Sequence, residues 1–193
     1  MRAFDFVLLF FSFVYALALT HLLMATARMI RYRSTIVFSV PHALWMFVAL
    51  VLVIGNWISL WDFHAFSKIT AWTIAIGFGF SILVYLACAL LTPDFERDGT
   101  DGTLDLGEFH QRQGATYMGA MFATLIASVV INAVAASTMG MQSWGSENTL
   151  VVVMIVPMAA AFFVRKYWVQ VVAPLILGLL LTAYVFVFYP SLG

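Results

Sequence analysis

Residues 19–49 read LTHLLMATARMIRYRSTIVFSVPHALWMFVA. Two apolar arms flank a short basic turn that carries Arg28, Arg31 and Arg33. Each arm holds one histidine, His21 before the turn and His42 after it. Apolar arms of this length around a basic turn predict two antiparallel membrane helices, with the turn held on one water-facing side. The remainder of the chain extends the same pattern.

Of the 193 residues, 64% are hydrophobic and only 9% are charged, and the mean hydropathy is +1.01. Soluble domains carry roughly 25% charged residues. So few charges cannot cover a water-facing surface, and lipid is the expected solvent. A formal net charge of zero gives no reason to expect nucleic acid as a partner. The single cysteine, Cys88, excludes an intrachain disulfide and a cysteine-based metal cluster. The first apolar run, residues 6–27, exceeds the roughly 7–15 residues of a signal-peptide core and is expected to be a transmembrane helix.

A hydrocarbon core takes about 20 apolar residues per helix. Six stretches qualify: residues 4–29, 35–60, 67–91, 115–139, 149–164 and 167–189. They are continuous rather than alternating, which argues for helices over barrel strands. The predicted fold is therefore all-α, a polytopic six-helix transmembrane bundle forming a single domain over residues 1–193. Arg28, Arg31, Arg33, Arg97, Arg112, Arg165 and Lys166 fall on one side, against Arg2 and Lys68 on the other. The positive-inside rule makes the first side cytoplasmic and places both termini outside. Trp57, Trp61, Trp144, Tyr167, Trp168 and Tyr189 lie near segment ends, where an interfacial belt is expected. Small residues at four-residue spacing (Ala71, Ala75 and Gly79; Gly119, Ala123 and Ala127) predict close helix contacts. No repeat relates the first three segments to the last three, which argues against an inverted-repeat transporter.

Three constellations can carry chemistry. The first is His21 with His42. At a rise of about 1.5 Å per residue both lie roughly 10–13 Å inside the basic edge, so on neighbouring antiparallel helices the rings can face each other. Neutral imidazoles ligate haem iron, copper or zinc. The commoner role is donation to backbone carbonyls or to hydroxyls such as Thr20 and Ser39. Packed helices sit about 8–10 Å apart, too close for a haem unless they splay.

The second constellation is a polar seam: Asn56 on the second helix, with Thr124, Ser128 and Asn132 on the fourth. It serves either as interhelical hydrogen bonds, the commoner use, or as the lining of a wet path. No Asp, Glu, Lys or Arg lies mid-segment, which argues against proton-coupled pumps and cation transporters. The third is the acidic, glycine-rich cytoplasmic loop of residues 92–114. There Asp94, Glu96, Asp98, Gly99, Thr100 and Asp105 occupy positions 1, 3, 5, 6, 7 and 12 of an EF-hand-like count. Glu at position 3, Asp101 at position 8 and Asp at position 12 depart from the calcium pattern, so a solvated loop is the main expectation. Residues 104–113 are expected to form an interfacial helix anchored by Leu104, Leu106 and Phe109. No nucleophile with a placed base, phosphate loop or HExxH motif is present, so no enzyme activity is predicted.

Three pieces resemble a family of uncharacterised bacterial integral membrane proteins. They are Tyr15 to Leu23 ahead of the basic turn, Pro41-His42-Ala-Leu-Trp45 leading to Asn56-Trp57, and Pro93 followed by Asp105, Glu108, Phe109 and Arg112. The likeness covers helices 1 to 4. The family has a second arginine and an aromatic pair after the loop, where this chain has Gln113 and Gly114. The resemblance implies a six-helix protein of the bacterial inner membrane and carries no activity. The first functional expectation is an accessory or structural subunit that meets other membrane subunits or further copies of itself. A small oligomeric channel or carrier comes next, and a haem- or metal-binding redox protein using His21 and His42 third.

Overall fold

The computed structural model describes residues 3–61, 70–99, 102–139 and 144–189, with the side chains of residues 3–5 and 135–147 left aside. The described residues form seven α-helices: α1 (Ala3–Arg31), α2 (Val40–Ser59), α3 (Ala71–Leu91), the single turn α4 (Phe95–Asp98), α5 (Leu106–Met139), α6 (Trp144–Phe163) and α7 (Tyr167–Phe188). Five have the length and apolarity to cross a membrane: α1, α2, α3, α5 and α7. The apolar part of α6 is shorter, Asn148–Phe163, and contains Pro157. The chain is thus an all-α membrane protein. Phe6, Phe13, Trp72, Phe163 and Phe186 are exposed on its outer surface, where lipid rather than water satisfies them.

The main helix contacts run α1–α3, α3–α5, α5–α6, α6–α7 and α7–α2, and α2 also touches α1, α3 and α5. The hairpin of residues 19–49 is therefore not a tight pair. The main partner of α1 is α3 and that of α2 is α7, while α1 and α2 meet more sparsely. Far from the basic turn they are joined by Trp57 Nε1, which donates to Ser12 Oγ at 3.2 Å. α2 is the most enclosed spanning helix, with 44% of its apolar window buried. Glycines allow its close approach to α7. A Cβ at Gly178 would stand 2.9 Å from Phe47 Cε1, and one at Gly55 3.2 Å from Val185 Cγ2.

The predicted small-residue stripe on α3 does not pack. Ala71, Ala75 and Gly79 face outward, and a Cβ at Gly79 would meet nothing within 4 Å. The close approach is two residues away, at Gly77, where a Cβ would stand 2.7 Å from Phe11 Cζ on α1. On α5, Gly119 touches Phe162 of α6, while Ala123 is exposed.

The connectors also differ from expectation. The basic turn continues into a 3₁₀ turn (Arg33–Thr35) and a short extended piece, β1 (Ile36–Val37). β1 pairs in parallel with β2 (Leu104–Asp105), Ile36 opposite Leu104 and Val37 opposite Asp105. α2 consequently begins at Val40 rather than near residue 35. Ser39 is its extended N-cap, and Pro41 stands in the first turn, where its missing N–H breaks no helix bond.

The expected interfacial helix and the fourth transmembrane segment are one helix, α5, of 34 residues. Asp105 starts it: Oδ1 accepts from Gly107 N at 2.7 Å and Glu108 N at 3.0 Å. With Glu108 three positions on, Asp105 has the spacing of a capping box. A helix of 34 residues is about 51 Å long, well beyond a hydrocarbon core of about 30 Å. Its first turns therefore stand at the membrane–water boundary, beside the basic connectors.

Candidate functional site

The end of α1, the start of α2 and the start of α5 line an open pocket of about 410 Å³. Thr26, Met29, Ile30 and Arg33 form one wall, Ile36 and Phe38 come from the connector, and His42, Ala43, Met46 and Leu106 close the rest. Its size lies within the roughly 300–1,000 Å³ of small-molecule sites. It exists because the two arms of the hairpin separate at their basic end. Ile30 and Phe38 are exposed at the rim, while Met46 and Leu106 are buried at the back. The lining is almost wholly apolar. Thr26 adds no free hydroxyl, since its Oγ1 donates to Leu22 O at 2.8 Å. Arg33 is the charged residue of the lining.

His42 is fully buried, and neither Nδ1 nor Nε2 has a hydrogen-bond partner. Its ring stands edge-on to Phe109 of α5, centroids 5.4 Å apart. It heads a buried polar cluster. Among the described residues, the buried side-chain atoms without a partner belong to His42, Trp45, His110 and Gln170. These residues sit in the opening turns of α2, α5 and α7, which meet at the basic end.

Within the cluster, His110 Nδ1 and the Tyr117 hydroxyl form a short hydrogen bond. Trp45 packs edge-on against Tyr117. Gln170 Nε2 donates to Ala161 O at 2.7 Å and Val164 O at 2.9 Å, closing the last turn of α6. Its amide lies beside the His110 ring, yet His110 Nε2 and Gln170 Oε1 complete no hydrogen bond. Arg165 reaches over Gly114, where a Cβ would stand 2.8 Å from Nη1 and 3.7 Å from Tyr117 Oη. Gly114 is thus where the guanidinium lies against α5. A buried polar atom without a partner costs about 1–3 kcal/mol. Four residues with such atoms gathered at one end make this the most costly polar packing among the described residues.

The two histidines of the opening stretch have separate surroundings. His21 is exposed, and its Nε2 hydrogen-bonds the hydroxyl of Tyr85 on α3 at 3.0 Å. His42 is brought together with Phe109 and lies near His110. The reason is the helix packing, which sets α1 chiefly against α3 and α2 chiefly against α7. Among the described residues, no group of three or more His, Cys, Asp or Glu side chains is gathered to hold a metal ion.

The seam residues are likewise apart. Asn56 Nδ2 donates to Leu52 O at 2.7 Å and Thr124 Oγ1 to Ala120 O at 2.9 Å, each within its own helix. Asn132 Nδ2 donates to Asn148 Oδ1 on α6 at 2.9 Å. Ser128 is half-buried on the same helix as Asn132. The loop carboxylates act on their own backbone. Asp94 Oδ1 accepts from Glu96 N at 3.2 Å, and Asp98 Oδ2 accepts from Asp94 N at 2.9 Å. Asp98 Oδ1 pairs with Arg112 at 2.8 Å. Asp105 caps α5, and Thr100 lies outside the described residues. Asp94 is the N-cap of α4, in which Glu96 and Asp98 stand.

His110, Tyr117 and Gln170 were not among the residues singled out from sequence. His110 and Tyr117 are seven apart, hence on one helix face; that signal appears only when the helix is begun at Leu106. Comparison with protein families, curated proteins and solved structures gives no match for this chain.

Proposed function

We propose that this chain is a non-enzymatic integral membrane protein that binds a small apolar or amphiphilic molecule taken laterally from the bilayer, and so belongs with carriers and binding subunits. The observation that carries this is the apolar pocket of about 410 Å³ between the ends of α1, α2 and α5. A rim of Ile30 and Phe38 suits access from lipid. The carrier reading is favoured over a polar channel because Asn56, Thr124 and Asn132 are engaged with nearby carbonyls or with Asn148.

α6 completes a six-span bundle, short as it is. The face with Arg28, Arg31, Arg33, Arg97, Arg112, Arg165 and Lys166 is cytoplasmic, with both termini outside. Of the opposing basic residues, Arg2 and Lys68 lie outside the described residues. The membrane is the bacterial inner membrane.

Native mass spectrometry of the full chain, released from mild detergent, tests the function. The expected spectrum shows one small apolar molecule per chain. Ala43→Phe, which puts a ring into the cavity, is expected to remove it. An unchanged adduct in Ala43→Phe refutes the cavity as the site. Stoichiometric copurifying chains without any adduct move the function to an accessory subunit.

A further inference from the structure

We infer that the outer face of α1 is the contact surface of a homodimer, in which His21 of each chain donates to Thr20 of the partner subunit across a two-fold axis normal to the membrane. This face is separate from the pocket, whose α1 wall is Thr26, Met29 and Ile30.

Of the described histidines, His42 and His110 are buried, whereas His21 is exposed on α1. It stands seven residues before Arg28, about 10 Å inside the basic edge, and within the apolar span Phe6–Arg31. Polar side chains at such depth almost always face a bundle interior or pair with one another. Tyr85 on α3 satisfies one ring nitrogen, Nε2, at 3.0 Å. Among the described residues Nδ1 has no hydrogen-bond partner. Lipid tails offer it none, and a polar atom left so in hydrocarbon is unfavourable. An imidazole in this position calls for a second protein surface over it.

The adjacent residue makes this face complementary to itself. Thr20 is exposed beside His21, and its hydroxyl donates to Ala16 O at 2.7 Å, so Oγ1 keeps a lone pair with which to accept. With the Tyr85 hydroxyl donating to Nε2, the ring proton of His21 stands on Nδ1 as a donor. Donor and acceptor thus lie at one depth. Two copies inserted in the same orientation hold equal residues at equal depth. Their contact is isologous: His21 meets the partner's Thr20, and Thr20 meets the partner's His21.

The helix geometry permits this contact. Phe10, Phe13, Leu17, Thr20, Met24 and Ala27 are all exposed and recur at alternating spacings of three and four residues, the seam of a parallel helix pair. From Phe10 to Ala27 the seam runs about 26 Å, most of a hydrocarbon core of about 30 Å. Each seam side chain enters a hole formed by four residues of the facing helix. For Thr20 that hole includes the partner's His21. The small side chains of Thr20 and Ala27, with Ala16 beside them, let the two backbones approach. Arg28 lies one heptad after His21, at the water edge, where like charges are screened within about 8–10 Å.

Cysteine cross-linking and subunit counting on the full chain test the inference. In native membranes, Leu17→Cys and Met24→Cys are expected to form disulfide-linked dimers on mild oxidation. Val130→Cys, exposed on α5, is expected to form none, and the native Cys88 is fully buried and stays silent. Fluorescently labelled protein, counted by photobleaching in liposomes of falling protein-to-lipid ratio, is expected to show a monomer–dimer equilibrium. Thr20→Val removes the acceptor at an exposed position and leaves the Tyr85 bond intact. Losing two interhelical bonds, it is expected to weaken the dimer about tenfold. His21→Phe is expected to weaken it as much, and the double variant no further. A dimer that neither single variant weakens overturns the His21–Thr20 pair. Disulfides at Val130→Cys in place of Leu17→Cys overturn the α1 face. Monomers at every ratio overturn the homodimer, as does a different chain cross-linked through Leu17→Cys in place of a second copy.

Discussion

Gly77 and Gly79 lie on the same helix, two residues apart, and should respond to alanine in opposite ways. At Gly77 the new Cβ would sit 2.7 Å from Phe11 Cζ and 3.0 Å from Cε2. Phe11 is almost wholly buried, so its ring cannot swing into lipid, and α1 must back away from α3. Overpacking of this kind costs about 1–3 kcal/mol. Alanine recovers at most about 1 kcal/mol of helix propensity. At Gly79 the Cβ meets nothing within 4 Å, so only the propensity gain remains. Gly77→Ala should therefore be less stable than Gly79→Ala by about 1–3 kcal/mol, or roughly 2–4 °C of melting temperature per kcal/mol for a chain of this size. The protein carries its own reporter. Cys88 is the sole cysteine and is fully buried on α3, so a maleimide dye reacts only when that helix leaves the bundle. Melting curves of the two variants in one detergent, followed by dye fluorescence, give the comparison directly. Coincident curves, or a higher melting temperature for Gly77→Ala, would refute the α1–α3 packing derived from these contacts.

Three further outcomes are expected. Tyr117→Phe strips the partner from buried His110 Nδ1 and should lower stability by about 1–3 kcal/mol, read by the same dye melt; an unchanged melt would count against the pair. Asp105→Ala removes the cap of α5 and should cost about 0.5–2 kcal/mol. Its signature is faster amide exchange at Gly107 and Glu108, with Asp105→Asn retaining the protection. Asn132→Ala should cost about 0.6 kcal/mol, and under 2, because it breaks one interhelical bond to Asn148; a double-mutant cycle with Asn148→Ala isolates that coupling.

The membrane character was legible because charge depletion is a property of the whole chain, independent of how its helices pack. The spans of α1, α3 and α7 were legible within a few residues for the same reason. α5 was misread at its start because the loop's acidic composition outweighed a local signal, Asp105 with Glu108 three residues on, which marks a helix N-terminus. Reading the helix from Leu106 places His110 and Tyr117 on one face and brings part of the polar cluster into view. The partner choice was not legible. Adjacent arms on a short turn suggest a packed hairpin, whereas α2 settles on α7 through close approaches at Gly178 and Gly55. Such fits depend on side chains more than a hundred positions away in sequence, and no local pattern announces them. The same cause separated His21 from His42. The cavity follows from that separation, so it too was beyond reach of the sequence.

The pairing of α2 with α7 also has a consequence for biogenesis. α2 ends at Ser59 and its main partner begins at Tyr167. Translation at about 5–20 residues per second puts on the order of 5–20 s between their exits from the ribosome. Throughout that interval the second helix, the most enclosed of the finished bundle, has inserted without the neighbour that will cover it. Phe47, Val48 and Gly55, which meet the last helix in the finished fold, then face lipid or the insertion machinery. The nascent chain must hold this helix in reserve until its last segment arrives, so truncation before residue 167 should leave a membrane-inserted but unassembled species for quality control to recognise.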